Sequence, residues 1–146
     1  MLIRRLIKLF WKELICSRNY RKRLKVDTMP PNENPNDKMK MYILIDRDNL
    51  SLVQCGVQAA HAVAEFMQEY GDKPRTQAWV KDHKTMIFLE GTQQELRHMK
   101  EHAAWCGYVY KGFKEPDLND LETAVVFEPM QVADGKELFS RFKLLS

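Results

Sequence analysis

Within the stretch SLVQCGVQAAHAV, residues 51–63, Gln54, Gln58 and His61 follow one another at intervals of four and three. On a helix advancing 100° per residue, these three and Glu65 fall within about 60° of one another, in one column. An imidazole titrates near neutral pH, and a carboxamide both donates and accepts hydrogen bonds. Side by side they can move a proton and hold an oxygen atom in place. Polar columns usually face solvent and do nothing more. This one is uncharged near its start, however, and it begins just after an apolar run of strand length, where open α/β sheets usually bind ligands. The opposing arc, Val53, Gly56, Val57, Ala60, Val63, Ala64 and Met67, is expected to face a sheet. Small residues at 56, 59, 60, 62 and 64 point to close approach of the helix to that sheet.

Other chemistries find little support. Asp46, Arg47 and Asp48 lie in the turn before the helix, where Asp48 or Ser51 is the expected N-cap. No glycine-rich phosphate cradle is present, which disfavours nucleotide binding. No serine sits in G-x-S-x-G, and no local Cys–His motif is recognisable. Cys55 reads as packing. Three cysteines, Cys16, Cys55 and Cys106, with no C-x-x-C among them, read as reduced thiols in the cytoplasm. His61, His83, His98 and His102 lack the spacing of zinc ligands. His98 and His102, four apart, read as a solvated pair rather than a shared metal site. No cofactor or metal is expected.

The elements that must position these residues follow from periodicity. "MYILIDRD" is a continuous apolar run, expected as a strand covered on both faces. The helix from Ser51 to about Tyr70 stops at Gly71, and a second helical piece, Thr76–Asp82, carries Trp79. "KTMIFLEG" is a second strand. Thr92 and Glu95 form the capping box of another helix. That helix buries Leu96, Met99, Ala103 and Cys106 and ends at Gly107. "YVYKGF" is a third strand, "KEPDLNDLE" a polar loop, and "TAVVFEP" a fourth strand stopped by Pro129. A last helix, Ala133–Phe142, buries Leu138, Phe139 and Phe142. The order β-α-(α)-β-α-β-β-α predicts a three-layer α/β sandwich with a four-stranded mixed sheet.

With 146 residues, 45% hydrophobic and 29% charged, the chain suits one soluble domain. Its net charge of +3 is uneven. Residues 1–26 hold nine Lys/Arg and one acid; the other 120 residues hold 14 and 19, net −5. Binding nucleic acid by bulk charge is therefore not the habit of the main domain. In the basic segment Ile3, Leu6, Ile7, Phe10 and Leu14 recur at helical spacing opposite Arg4, Arg5, Lys8 and Lys12. This predicts an N-terminal amphipathic helix, either a surface-docking device or an extension without a role. Residues 27–38 read as a linker, and 39–146 as the domain. Met39 and Met41 are alternative starts.

Two segments carry a family resemblance. The first is the strand, D-x-D/N-L and then "VQAAHA", Val57–Ala62. The second is "FKEPDLNDLETAVVFEP", Phe113–Pro129. With the element order, they resemble the type 2 peptidyl-tRNA hydrolases over residues 41–142. The likeness is greatest to a bacterial and phage-type branch with an F-x-EPDL…TA loop. The resemblance implies a metal-free carboxylic-ester hydrolase acting in translation, which cleaves the bond between a peptide and the terminal ribose of a tRNA. It matches Gln58 and His61 to the helix motif and Thr123 to the threonine opening the last strand. Glu115 or Asp117 would be the functional carboxylate of the loop.

Under this reading water is the nucleophile. His61, Asp117 or Glu115 would orient or deprotonate it, and Thr123 and Gln58 would hold the ester or its oxyanion. Arg47, Lys111 and Lys114, with Gln54, would contact the tRNA end. Gln54 stands where the better-known members have a lysine, and glutamine stabilises no oxyanion by charge. The alternative is a catalytically silent module that binds RNA or protein through the same cleft. Partners considered besides peptidyl-tRNA are a membrane surface, touched weakly through residues 2–15, and a second copy of the chain.

Overall fold

The computed structural model describes residues 38–146. The expected N-terminal amphipathic helix and nearly all of the linker lie outside them. Strand β1 is Met39–Asp46, and helix α1, Leu52–Tyr70, follows it. Next come α2 (Pro74–Asp82), β2 (Thr85–Gly91) and α3 (Gln93–Trp105). The chain continues through β3 (Tyr110–Glu115), a 3-10 turn (Pro116–Leu118) and β4 (Leu121–Gln131). It ends with α4 (Val132–Phe139) and β5 (Lys143–Leu144). The sheet has five strands, ordered β3-β4-β1-β2-β5. β1 and β2 are parallel, and the other three pairings are antiparallel. The mixed sheet is as expected, but the fourfold strand count is not. β5 is two residues long, too short for any alternation to register in the sequence.

Strand alternation divides the core between the two faces of the sheet. On one side Met41, Ile43, Ile45, Ala124 and Val126 meet Cys55, Ala59, Ala62 and Phe66 of α1 and Trp79 of α2. On the other, Tyr42, Leu44, Val125 and Phe127 meet Leu96, Met99 and Ala103 of α3 and Leu138 and Phe139 of α4. Because helices cover both faces, β1 is buried from Met41 to Asp46, which explains its unbroken apolar run.

Local signals hold where hydrogen bonds are short-range. Ser51 is the N-cap of α1 in a capping box with Gln54, and Thr92 with Glu95 forms the same device on α3. Gly107 adopts φ 77°, the left-handed conformation in which glycine closes a helix at no steric cost.

Three expectations are corrected. The buried face of α1 is Cys55, Gln58, Ala59, Ala62 and Phe66, while Val53 is 80% exposed and Val57 49% exposed. The helix is rotated so that bulky Phe66 fills the core, and small residues on both sides gave the sequence pattern no strong preference. Secondly, β4 does not stop at Pro129. Lys40 faces Met130 and Tyr42 faces Phe127, so Glu128 and Pro129 together oppose Met41. This bulge absorbs a residue that lacks an amide hydrogen. Thirdly, α4 ends at Phe139, leaving Phe142 half-buried beyond it. Cys55 is a buried free thiol, packed in the core as expected.

Candidate active site

Helix α1 lies along edge strand β3, and the two are joined at three levels. Glu69 pairs with Lys111, His61 stacks on Phe113, and Gln58 bonds to Glu115. The helix numbers fall as the strand numbers rise, so the two run antiparallel. Residues 58 to 69 rise about 16 Å and residues 111 to 115 about 13 Å, which is why the levels stay in step. Alternate residues of β3 share one face. Phe113 and Glu115 therefore present their side chains to α1, roughly 7 Å apart, and carry His61 and Gln58 as neighbours.

Thr123 reaches the same place through a second bulge. Phe113 faces Ala124 and Lys114 faces Glu122, so the register skips Thr123. Ala124 packs on the α1 side of the sheet, and strict alternation would send Thr123 to the α3 side. The bulge breaks the alternation and turns Thr123 toward α1. There its buried hydroxyl donates to Oε1 of Gln58 at 2.7 Å.

Gln58 is thus the centre of a carboxylate–amide–hydroxyl trio. Its Nε2 donates to Oε2 of Glu115 at 2.5 Å. An ionised carboxylate only accepts, so the nitrogen must face Glu115 and the oxygen is left for Thr123. Gln58 is 6% exposed and Glu115 half-buried, so one end of the trio is sealed in the core and the other meets solvent. Burying an amide is costly unless it is bonded, and here both its ends are.

The loop after β3 is shaped by Glu115. Its carboxylate accepts from the backbone N–H of Asp117 at 3.4 Å and caps the 3-10 turn. Asn119 and Asp120 then take φ 55° and 58°, reversing the chain into β4. Asp117 is exposed on this turn. Between the two carboxylates left open by the sequence, Glu115 is the one in contact with Gln58.

His61 is exposed and stacks on Phe113 with ring centroids 4.8 Å apart and planes 13° from parallel. It stands beside the trio rather than in it. Phe113 entered the sequence reading only as the first residue of the F-x-EPDL motif, with no role assigned; an aromatic two positions before Glu115 on a strand was the available signal.

The residues expected to contact tRNA are not gathered here. Gln54 accepts from the N–H of Ser51 at 2.8 Å and serves the α1 cap. Nη1 of Arg47 donates to Leu50 O at 2.8 Å, and Nε to Ser146 O at 3.4 Å. Lys111 is paired with Glu69 at the far end of the α1–β3 contact. Lys114 is exposed, and alternation places it on the opposite face of β3 from Glu115. Among the described residues no cluster of three or more His, Cys, Asp or Glu could hold a metal. No helix among them is long and apolar enough to cross a membrane.

A solved structure of a protein of unknown function from Agrobacterium tumefaciens shares this fold, with a TM-score of 0.54 at 10% sequence identity. The match covers 75% of this chain and 98% of that one. No curated protein matches the chain. The family model described as peptidyl-tRNA hydrolase PTH2 matches residues 39–145, a span that includes β1 through β5 and every member of the trio. The chain belongs to the peptidyl-tRNA hydrolase PTH2 family.

Proposed function

We propose that the protein hydrolyses the ester of peptidyl-tRNA, with Glu115 and His61 acting on the attacking water and Gln58 and Thr123 holding the carboxylate in place. The observation that carries this reading is the bond from Gln58 to Glu115, with Thr123 behind it and His61 one helical turn away. The F-x-EPDL…TA loop that supplies Glu115 and Thr123 also supports the bacterial and phage-type branch. Glu115 has lone pairs beyond those engaged by Gln58 and Asp117, and its half-exposure leaves them open to water. A water held between carboxylate and imidazole can lose a proton to one of them while its oxygen bonds to the ester carbon. Collapse of the tetrahedral intermediate expels the ribose oxygen, which takes a proton back. Nε2 of Gln58 carries a second hydrogen that can meet the developing oxyanion.

The test is release of free tRNA from N-acetylated aminoacyl-tRNA. Glu115→Gln keeps the size of the side chain and removes its charge. It should lower kcat by about two to three orders of magnitude while the protein stays folded. No turnover above buffer by the folded wild type would reject the proposal.

A second reading is a silent binding module. It is favoured by the engagement of Gln54 in the helix cap and of Lys111 with Glu69, which leaves neither directed to the trio. Binding of tRNA without turnover would decide for it.

A further inference from the structure

We propose that Gln93 is a positioning residue, one that fixes the β4 bulge and through it the aim of Thr123 at Gln58. The claim that this affects catalysis rests on the hydrolase reading; the claim that it shapes the site does not. Strand β1 ends at Asp46, and its pairing with β4 stops at Ile45 opposite Ala124. Glu122 therefore lies past the end of β1, where its carbonyl meets no β1 amide. The first residue of α3 fills that place. Nε2 of Gln93 donates to Glu122 O at 2.7 Å and to Oδ2 of Asp46 at 2.6 Å. Both neighbours are acceptors, so the amide orientation is forced: the nitrogen faces them with one hydrogen for each.

Asp46 is fully buried and is held in turn. It accepts from the backbone N–H of Asp48 at 3.2 Å and from Nδ2 of Asn49 at 2.7 Å, besides Gln93. A buried carboxylate with three donors is a rigid anchor. Gln93 thus ties the carbonyl directly before Thr123 to the end of the central strand. A bulge is the point where a ladder has slack, and here the slack is taken up from outside the strand pair. Without that tie, the Glu122 carbonyl loses the side-chain donor that holds it, and the rotation of the Glu122–Thr123 peptide bears on which face Thr123 takes.

The experiment compares Gln93→Met, Thr123→Val and Met99→Ala, the last a core change elsewhere on α3. Two quantities are read. The first is the NMR signal of the Gln58 side-chain amide, assigned by its absence in Gln58→Met. The second is the split between kcat and KM. Gln93→Met should move the Gln58 signal in the direction Thr123→Val moves it. It should lower kcat about tenfold to a hundredfold with KM changed less than about twofold. Met99→Ala should do neither per folded molecule. A Gln58 signal that stays put in Gln93→Met while Thr123→Val shifts it would overturn the proposal. Should Gln93→Met not fold, Gln93→Asn keeps the donors but reaches only one acceptor, and the same two readouts apply. A wild type without turnover sinks the hydrolase reading, while the Gln58 signal still decides the positioning role.

Discussion

The hydroxyl of Thr123 donates to Oε1 of Gln58 across 2.7 Å, although the two residues stand 65 apart in the chain. This bond joins the buried helix face to the bulged strand, and it lets Gln58 turn its nitrogen toward Glu115. Thr123→Val keeps the shape and removes the donor, leaving Oε1 of Gln58 unpaired in the core. The expected loss is about 1–3 kcal/mol in urea unfolding. Hydrolysis should fall with it, and Thr123→Ser should recover most of both.

His61 lies at the surface rather than in the core. Being exposed, its replacement by alanine should change stability by less than about 1 kcal/mol. Activity should fall by about two to four orders of magnitude if the imidazole moves the proton. His61→Phe separates stacking from proton transfer. It retains the ring on Phe113 and should be as inactive as His61→Ala; recovery of activity in His61→Phe would show that the stack alone matters.

The Glu69–Lys111 pair predicts a definite pH behaviour. The hydrogen bond from Lys111 holds the Glu69 carboxyl below its ordinary value of 4.5. The same bond raises Lys111 above its ordinary 10.5. A depressed carboxyl pKa gives stability that is present above the ordinary value and lost as pH falls through the folded one. A raised amine pKa gives stability that is present below the ordinary value and lost as pH rises through the folded one. The pair therefore acts between the two ordinary values and fades beyond each side. Both groups are solvent-accessible, so the effect on unfolding should be small and salt-sensitive. Carbon-detected NMR titration should show the Glu69 carboxyl moving up toward 4.5 in Lys111→Met.

Gly135 tests the opposite face of the sheet. A Cβ there would lie 2.2 Å from the Tyr42 hydroxyl oxygen and 2.3 Å from its ring carbons. Tyr42 cannot yield easily, since it is buried and stacked on Phe139 at 4.7 Å. Gly135→Ala should cost about 1–3 kcal/mol in thermal unfolding. Because α4 packs on the side of the sheet away from Gln58, kcat per folded molecule should be unchanged.

Local chemistry was legible in the residues. The unbroken apolar run of β1, the capping box at Thr92, an N-cap at Asp48 or Ser51, and the glycine stop at Gly107 each depend on neighbours within a few positions. So did the column of Gln58 and His61, because helical spacing alone puts them together. The family resemblance narrowed the candidate carboxylate to Glu115 or Asp117.

Tertiary structure decided the rest, because it turned on strand register and on helix rotation. Whether Thr123 faces α1 or α3 depends on a one-residue slip between β3 and β4, and a slip has no local signature when it inverts only one side chain. The rotation of α1 was ambiguous while alanine and valine lay on both sides, and the bulk of Phe66 settled it once a sheet was there to receive it. Glu115 rather than Asp117 meets Gln58 because residues at even spacing on a strand share a face, so Phe113 and Glu115 point together and Asp117 falls beyond the strand on the turn. Composition and periodicity therefore specified which groups were available; long-range pairing determined which of them touch.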